Sequence, residues 1–107
     1  MRIASGKFKG RNLIAPSNLP VRPTTDFAKT GLFNILSSRY NFTELKVLDL
    51  CAAPGGKSTH LLSLISKESL LVSNEVIRSR ANILNDNISK NKPLMLSKNS
   101  FLYYSLR

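Results

Sequence analysis

Two features of the sequence carry residue types suited to holding a nucleotide-like ligand. The first is the run Asp49-Leu50-Cys51-Ala52-Ala53-Pro54-Gly55-Gly56-Lys57-Ser58-Thr59, in which small residues follow the apolar segment Lys46-Val47-Leu48-Asp49-Leu50. Side chains this small let a ligand approach the backbone, and a helix starting here offers N–H groups that lack intrahelical partners. The second is Glu75, which stands 19 positions after Gly56 at the end of another apolar run. An acidic side chain at about that offset meets ribose hydroxyls in nucleotide-binding strand–helix–strand units. Loop and acid together imply one adenosine site.

Two ligand classes compete for that loop. Gly56-Lys57-Ser58 satisfies the end of a phosphate-cradling Gly-x-x-x-x-Gly-Lys-Ser/Thr loop, which implies a nucleotide hydrolase. The first glycine of that pattern would fall at Cys51, however, and Pro54 removes an N–H that a phosphate cradle uses. No apolar strand ending in a magnesium-binding aspartate follows. Asp49 and Glu75 instead bracket the loop as the pocket of an S-adenosylmethionine donor would, and that reading is the stronger one. Cys51 is the sole cysteine and His60 the sole histidine, which excludes an intrachain disulfide and a multi-cysteine zinc site and makes triad chemistry improbable. Cys51 reads as a packed small thiol rather than a nucleophile. His60 reads as a surface or boundary histidine, and no metal site is expected.

The elements that must position these residues follow from apolar patterning. Lys46 to Leu50 is a buried strand, residues 51 to 56 a Pro/Gly loop, about 57 to 67 a helix, and about 69 to 73 a second strand. A helix over 76 to 90 brings Ile77, Ala81, Leu84 and Ile88 to one side, and residues 94 to 96 begin a third strand. Upstream, residues 2 to 5 and 11 to 15 flank Gly6-Lys7-Phe8-Lys9-Gly10 as a small hairpin. Pro16, Pro20 and Pro23 punctuate a linker, and Thr24-Thr25-Asp26 caps a helix running to about Ser38 whose core face is Ala28, Leu32, Ile35 and Leu36, with Phe33 beside it. The alternation predicts an α/β fold, a partial Rossmann-like sheet of about three parallel strands with flanking helices, preceded by a basic hairpin and helix. Residues 1–45 form a basic arm and residues 46–107 a truncated ligand-binding domain.

A chain of 107 residues with 42% hydrophobic and 21% charged residues can build one packed core. No apolar run approaches the roughly 20 residues of a membrane span, and a cytoplasmic protein with no membrane partner is expected. Sixteen Lys and Arg against six Asp and Glu give a net charge of +10, which points to a polyanionic partner. Arg2, Lys7, Lys9, Arg11 and Arg22 lie in the first 24 residues with no acidic residue among them, so that end reads as a nucleic-acid arm.

The loop Asp49 to Thr59, continued by Leu71-Val72-Ser73-Asn74-Glu75-Val76-Ile77-Arg78-Ser79-Arg80, resembles the cofactor loop and second strand of the Sun-type RNA cytosine-5 methyltransferases. The resemblance implies S-adenosylmethionine as cofactor. It implies that Cys51, Ala52, Ala53, Pro54, Gly55, Gly56 and Lys57 line the methionine and ribose side and that Glu75 holds the ribose hydroxyls. The N-terminal run Met1 to Arg11, with Leu19-Pro20-Val21-Arg22-Pro23-Thr24-Thr25-Asp26 and Leu32-Phe33-Asn34-Ile35-Leu36, resembles the small-subunit ribosomal RNA guanine-N2 methyltransferases. That family has an aromatic-small-Gly-x-Gly loop where this chain has Cys51 to Lys57, so the sequence reads as two methyltransferase patterns joined at Val47-Leu48-Asp49-Leu50. The resemblances span about residues 1 to 90.

Neither family's target-base chemistry is present. A guanine-N2 enzyme uses an Asn/Asp-Pro-Pro-aromatic loop, and no Pro-Pro pair occurs; a cytosine-5 enzyme uses a cysteine nucleophile with a second assisting cysteine, and only Cys51 exists. The expectation is therefore an RNA methyltransferase, acting on ribosomal RNA at guanine-N2 or cytosine-5, in an incomplete chain whose catalytic residues are not identified. The alternative is a catalytically inactive fragment that binds RNA and the donor.

Overall fold

The computed structural model describes residues 2–3, 7–14, 17, 24–91 and the backbone of 101–104. The described residues open with a tight reversal. Arg2 and Asn12 form an antiparallel bridge, and the Ile3 N–H donates to the Arg11 carbonyl at 3.0 Å while the Gly10 N–H donates to the Ile3 carbonyl at 2.9 Å. Gly10 takes φ +86°, a left-handed conformation natural to glycine, so the hairpin read from the sequence closes as a single bridge around a turn. Ile3, Phe8 and Leu13 bury against one another beneath it, and the Arg11 guanidinium lies 4.4 Å from the centre of the Phe8 ring.

Helix α1 (Asp26–Arg39) starts where Thr25 accepts a hydrogen bond from the Ala28 N–H at 3.2 Å, a cap worth about 1 kcal/mol. Its buried face is not the one the apolar spacing predicts. Leu32 and Ile35 are 42% and 56% exposed and Ala28 is exposed, whereas Lys29 and Phe33 are buried. The reason is a contact with the N-terminal turn. Lys29 Nζ donates to the Arg2 carbonyl at 3.0 Å and pairs with Asp26 at 3.5 Å, so the ammonium is satisfied while its aliphatic stem packs inside. Arg2 pairs with the same Asp26 at 2.9 Å and holds its carboxyl below the usual carboxylate range.

After a short 3-10 turn at Phe42–Glu44, strand β1 (Lys46–Asp49) leads through the loop into helix α2 (Gly56–Leu64), then strand β2 (Leu70–Asn74), helix α3 (Arg78–Asn91) and strand β3 (Phe101–Tyr104). The third described strand lies at 101–104, and the start predicted at 94–96 falls outside the described residues. The sheet order is β1-β2-β3 and both pairings are parallel, with Asp49 opposite Ser73 and Asn74 opposite Tyr104. This is the α/β arrangement that strand–helix alternation dictates. Phe33 and Phe42 join Leu61, Leu62, Leu71, Leu84 and Ile88 in one core, so the segment before β1 packs into the same core as the sheet. Full burial of a leucine or isoleucine side chain contributes about 1.5–3 kcal/mol.

His60 is interior, not a surface or boundary residue. It is 1% exposed and stacks on the Phe33 ring with centroids 3.8 Å apart. Burial, aided by the nearby Lys29 charge, pushes its pKa down to about 4, so it is neutral near pH 7. An open apolar groove of about 410 Å³ runs along β1 and α1, lined by Leu32, Leu36, Tyr40, Val47, Leu48 and Leu50. No helix among the described residues is long and apolar enough to cross a membrane.

Candidate donor-binding site

Parallel strands place their carboxyl ends together, and ligands of open α/β sheets bind outside those ends. Here β1 ends at Asp49 and β2 ends at Asn74, so the loop 50–55 and Glu75 emerge side by side. The junction is cross-tied. The Ala52 N–H donates to the Asn74 carbonyl at 2.9 Å, and the Asn74 side-chain amide donates to the Leu50 carbonyl at 2.8 Å. The loop therefore cannot shift without β2.

Ala52, Ala53, Pro54 and Gly55 are buried, whereas Gly56 is half-buried and Cys51 and Lys57 are exposed. The small residues at 52–55 thus serve close packing as well as access. Ala52 and Ala53 belong to the core, and Gly55 has φ +115° where a Cβ would come 3.3 Å from Leu84 Cδ1 and 3.6 Å from Asn87 Cβ. Cys51 is exposed at the turn rather than packed, because the chain has already left the sheet there. Lys57 reaches back to the segment before α1 and donates to Thr24 Oγ1 at 3.0 Å. Asp49 accepts a hydrogen bond from Ser58 Oγ at 2.8 Å, and Ser58 Oγ lies 2.7 Å from Ser73 Oγ, which fixes the carboxylate between both strands and α2.

Glu75 has the most telling environment. It is 4% exposed, its Oε1 accepts from the Ile77 N–H at 3.0 Å, and its Oε2 is buried with no hydrogen bond. The Arg80 guanidinium stands 3.9 Å from that oxygen. A buried carboxylate oxygen left open is costly unless a ligand supplies a donor.

Several contributors were not singled out in the sequence. Arg80 Nη2 donates to the Ala53 carbonyl at 3.1 Å, and the Asn87 amide donates to the Pro54 carbonyl at 2.7 Å. Asn87 also grips both polar backbone atoms of Ile14, at 2.8 and 2.9 Å. An asparagine on the apolar face of α3, one turn before Asn91, is the signal from which a buried polar role could have been read. Of the predicted basic residues, Lys7, Lys9 and Arg11 are exposed beside the N-terminal turn, Arg2 is tied to Asp26, and Arg22 lies outside the described residues.

With this geometry established, the chain can be set beside known proteins. The family model described as conserved hypothetical protein 95 matches residues 1–101. The chain belongs to that family. Among curated relatives, ribosomal RNA small subunit methyltransferase F of Shewanella halifaxensis is 35% identical over 65 residues, covering 57% of this chain and 14% of its own length. The Bacillus subtilis protein YlbH, provisionally named an rRNA methyltransferase, is 40% identical over 63 residues, covering 59% of this chain and 33% of its own. A solved Escherichia coli structure, YhhF, provisionally named a methyltransferase, superimposes with a TM-score of 0.76 at 24% identity over 100% of this chain and 52% of that one. At that identity the last match shows the fold alone. The resemblance to RNA methyltransferases read from the sequence is borne out in the names the two curated relatives carry, and the partial Rossmann-like fold in the superposition on YhhF. The chain spans about half the length of such solved structures and a third or less of those two curated relatives.

Proposed function

We propose that this chain is the donor-binding half of an S-adenosylmethionine-dependent enzyme that methylates a base of ribosomal RNA. The observation that carries the reading is the placing of Glu75 at the tip of β2 beside the bend that follows β1, with its Oε2 lacking a hydrogen bond in the folded chain. Glu75 would accept hydrogen bonds from the ribose hydroxyls, and the loop Cys51, Ala52, Ala53, Pro54, Gly55, Gly56 and Lys57 would lie against the rest of the donor, with Asp49 bracing its start. When bound, the sulfonium supplies the methyl group. The residues of this chain orient it: Ser58 and Ser73 hold Asp49, Asn74 holds Leu50, and Asn87 holds Pro54.

Residues 1–45 act in this reading as the RNA-contacting arm and residues 46–107 as the donor-binding part. Lys7, Lys9 and Arg11 present exposed charge to phosphate, Arg2 adds a cation that Asp26 already pairs, and Arg22 is assigned to the arm from the sequence alone. Neutralising several phosphates releases counterions, so RNA affinity is expected to fall by about two orders of magnitude or more between 50 and 200 mM salt. Binding that ignores salt would remove the arm from the proposal. The donor site is tested by calorimetric titration of the purified chain with S-adenosylhomocysteine. Saturable one-to-one binding is expected, and no heat of binding by the folded chain would overturn the reading.

A narrower reading has its own support. The sequence holds neither a Pro-Pro pair nor a second cysteine, so the 107-residue chain binds the donor and RNA while the groups that act on the base come from elsewhere. Methyl incorporation into ribosomal RNA by the purified chain alone would sink it.

A further inference from the structure

We infer that Arg80 is a positioning residue of the donor site, acting through Glu75 and the Ala53 carbonyl. The inference rests on the donor-site reading above and adds a residue that neither sequence resemblance assigned a role. Arg80 lies in the first turn of α3 and joins two parts of the site that are far apart in the chain. Its Nη2 donates to the Ala53 carbonyl at 3.1 Å and stands 3.9 Å from Glu75 Oε2. The side chain is 25% exposed and that of Glu75 6%, so the pair is well shielded from solvent. Glu75 Oε2 and Arg80 Nε are both buried without a hydrogen bond.

That combination is unusual for a purely structural ion pair. A buried Arg–carboxylate pair built for stability closes at about 2.7–2.9 Å and is frequently bidentate. Here the guanidinium spends its short bond on the loop carbonyl and stops short of the carboxylate. The positive charge offsets the negative charge that burial would otherwise leave uncompensated, yet the oxygen keeps its hydrogen-bonding capacity unspent, for use when the carboxylate turns towards a ligand. Arg80 thus does two things for the donor. It sets the Ala53 carbonyl, and with it the bend at 51–55, and it keeps Glu75 as a buried acceptor without filling its acceptor site. A lysine supplies the charge but lacks the planar fork that serves two acceptors at a fixed spacing.

The test is titration of the 107-residue chain with S-adenosylhomocysteine as Arg80→Met, Arg80→Lys, Glu75→Gln and the Arg80→Met/Glu75→Gln double variant, each checked by thermal melting. Arg80→Met is expected to weaken binding on the order of tenfold, the size of one lost charge-assisted hydrogen bond. Arg80→Lys should recover part of that loss. The loss in the double variant should be smaller than the two single losses combined, because part of the Arg80 effect passes through Glu75 and the rest through the Ala53 carbonyl. A residue that only stabilises the fold would shift the melt and leave the affinity of the folded fraction unchanged, in the wild-type and the Glu75→Gln background alike.

Wild-type affinity in folded Arg80→Met, with Glu75→Gln weakened, overturns this inference and leaves the donor site standing. Wild-type affinity in both overturns the site as well. If Arg80→Met fails to fold, Arg80→Lys decides: affinity indistinguishable from wild type overturns the inference, and a reduced affinity supports it.

Discussion

Replacement of Glu75 by alanine is expected to weaken S-adenosylhomocysteine binding by about 10- to 100-fold, since hydrogen bonds to a charged group are worth about 1.5–3 kcal/mol. The expectation follows from the state of the carboxylate in the folded chain. One oxygen is committed to the Ile77 N–H and the other is buried and open. The structure therefore already bears the cost of burying the acceptor, which the proposed ribose hydroxyl would recover on binding. Alanine also strips the Ile77 N–H of its partner and leaves the Arg80 guanidinium without its carboxylate, so Glu75→Gln is the cleaner companion. The glutamine side chain can still accept from Ile77 while removing the negative charge. Alanine should show the larger loss and glutamine a smaller one, read by calorimetry on samples whose melts confirm folding. A dissociation constant unchanged in both variants would take Glu75 out of the site.

The sequence made the framework of this site legible, and the structure shows why its inner contacts were not. Strand β1, the loop, α2, β2 and α3 all stand within a few residues of where apolar runs and Pro/Gly punctuation predicted them. Those elements are defined by neighbours in sequence, which patterning can see. The buried face of α1 was missed because it is set by Arg2, 27 residues before Lys29, whose carbonyl makes an interior lysine tolerable. No periodicity encodes that bond. His60 was misplaced for a related reason. It is buried by stacking on Phe33 of α1, a helix whose inward face had been assigned to other residues. At the site, Asp49, the loop and Glu75 were readable as a set, because a bend of small residues and an acid at a fixed offset form a local signature. Ser58, Ser73, Asn74, Arg80 and Asn87 were not, because their partners lie 9 to 73 positions away. What the sequence concealed is mostly the polar scaffolding that holds the loop in shape.

Asn87 is the member of that scaffolding whose loss should cost the most stability. It is 1% exposed and makes three short bonds: its Oδ1 accepts from the Ile14 N–H at 2.8 Å, and its Nδ2 donates to the Ile14 carbonyl at 2.9 Å and the Pro54 carbonyl at 2.7 Å. One side chain thus fastens the end of the N-terminal turn and the loop after β1 to the same point of α3. Asn87→Ala opens a small cavity and leaves those backbone groups to find other partners. At about 1–3 kcal/mol for a buried group left unsatisfied, and with Ile14 itself 43% exposed and able to recruit water, a loss of about 2–4 kcal/mol is expected. A domain of this size loses roughly 4–8 °C of Tm per kcal/mol, so the melt should fall by about 10–25 °C. Asn87→Asp separates the contributions. It keeps an acceptor for the Ile14 N–H but turns an acceptor oxygen towards two carbonyls, so it should be at least as damaging as alanine although it is nearly isosteric. Amide hydrogen exchange gives the second readout, with protection at Ile14, Ile3 and Gly10 falling before that of Leu71 and Val72 in β2, because the N-terminal turn loses an anchor that the sheet does not share. A melt within 0.5 kcal/mol of wild type in both variants would mean that the N-terminal turn and the donor loop are held by other contacts, and the physical link between the basic arm and the donor site would be gone.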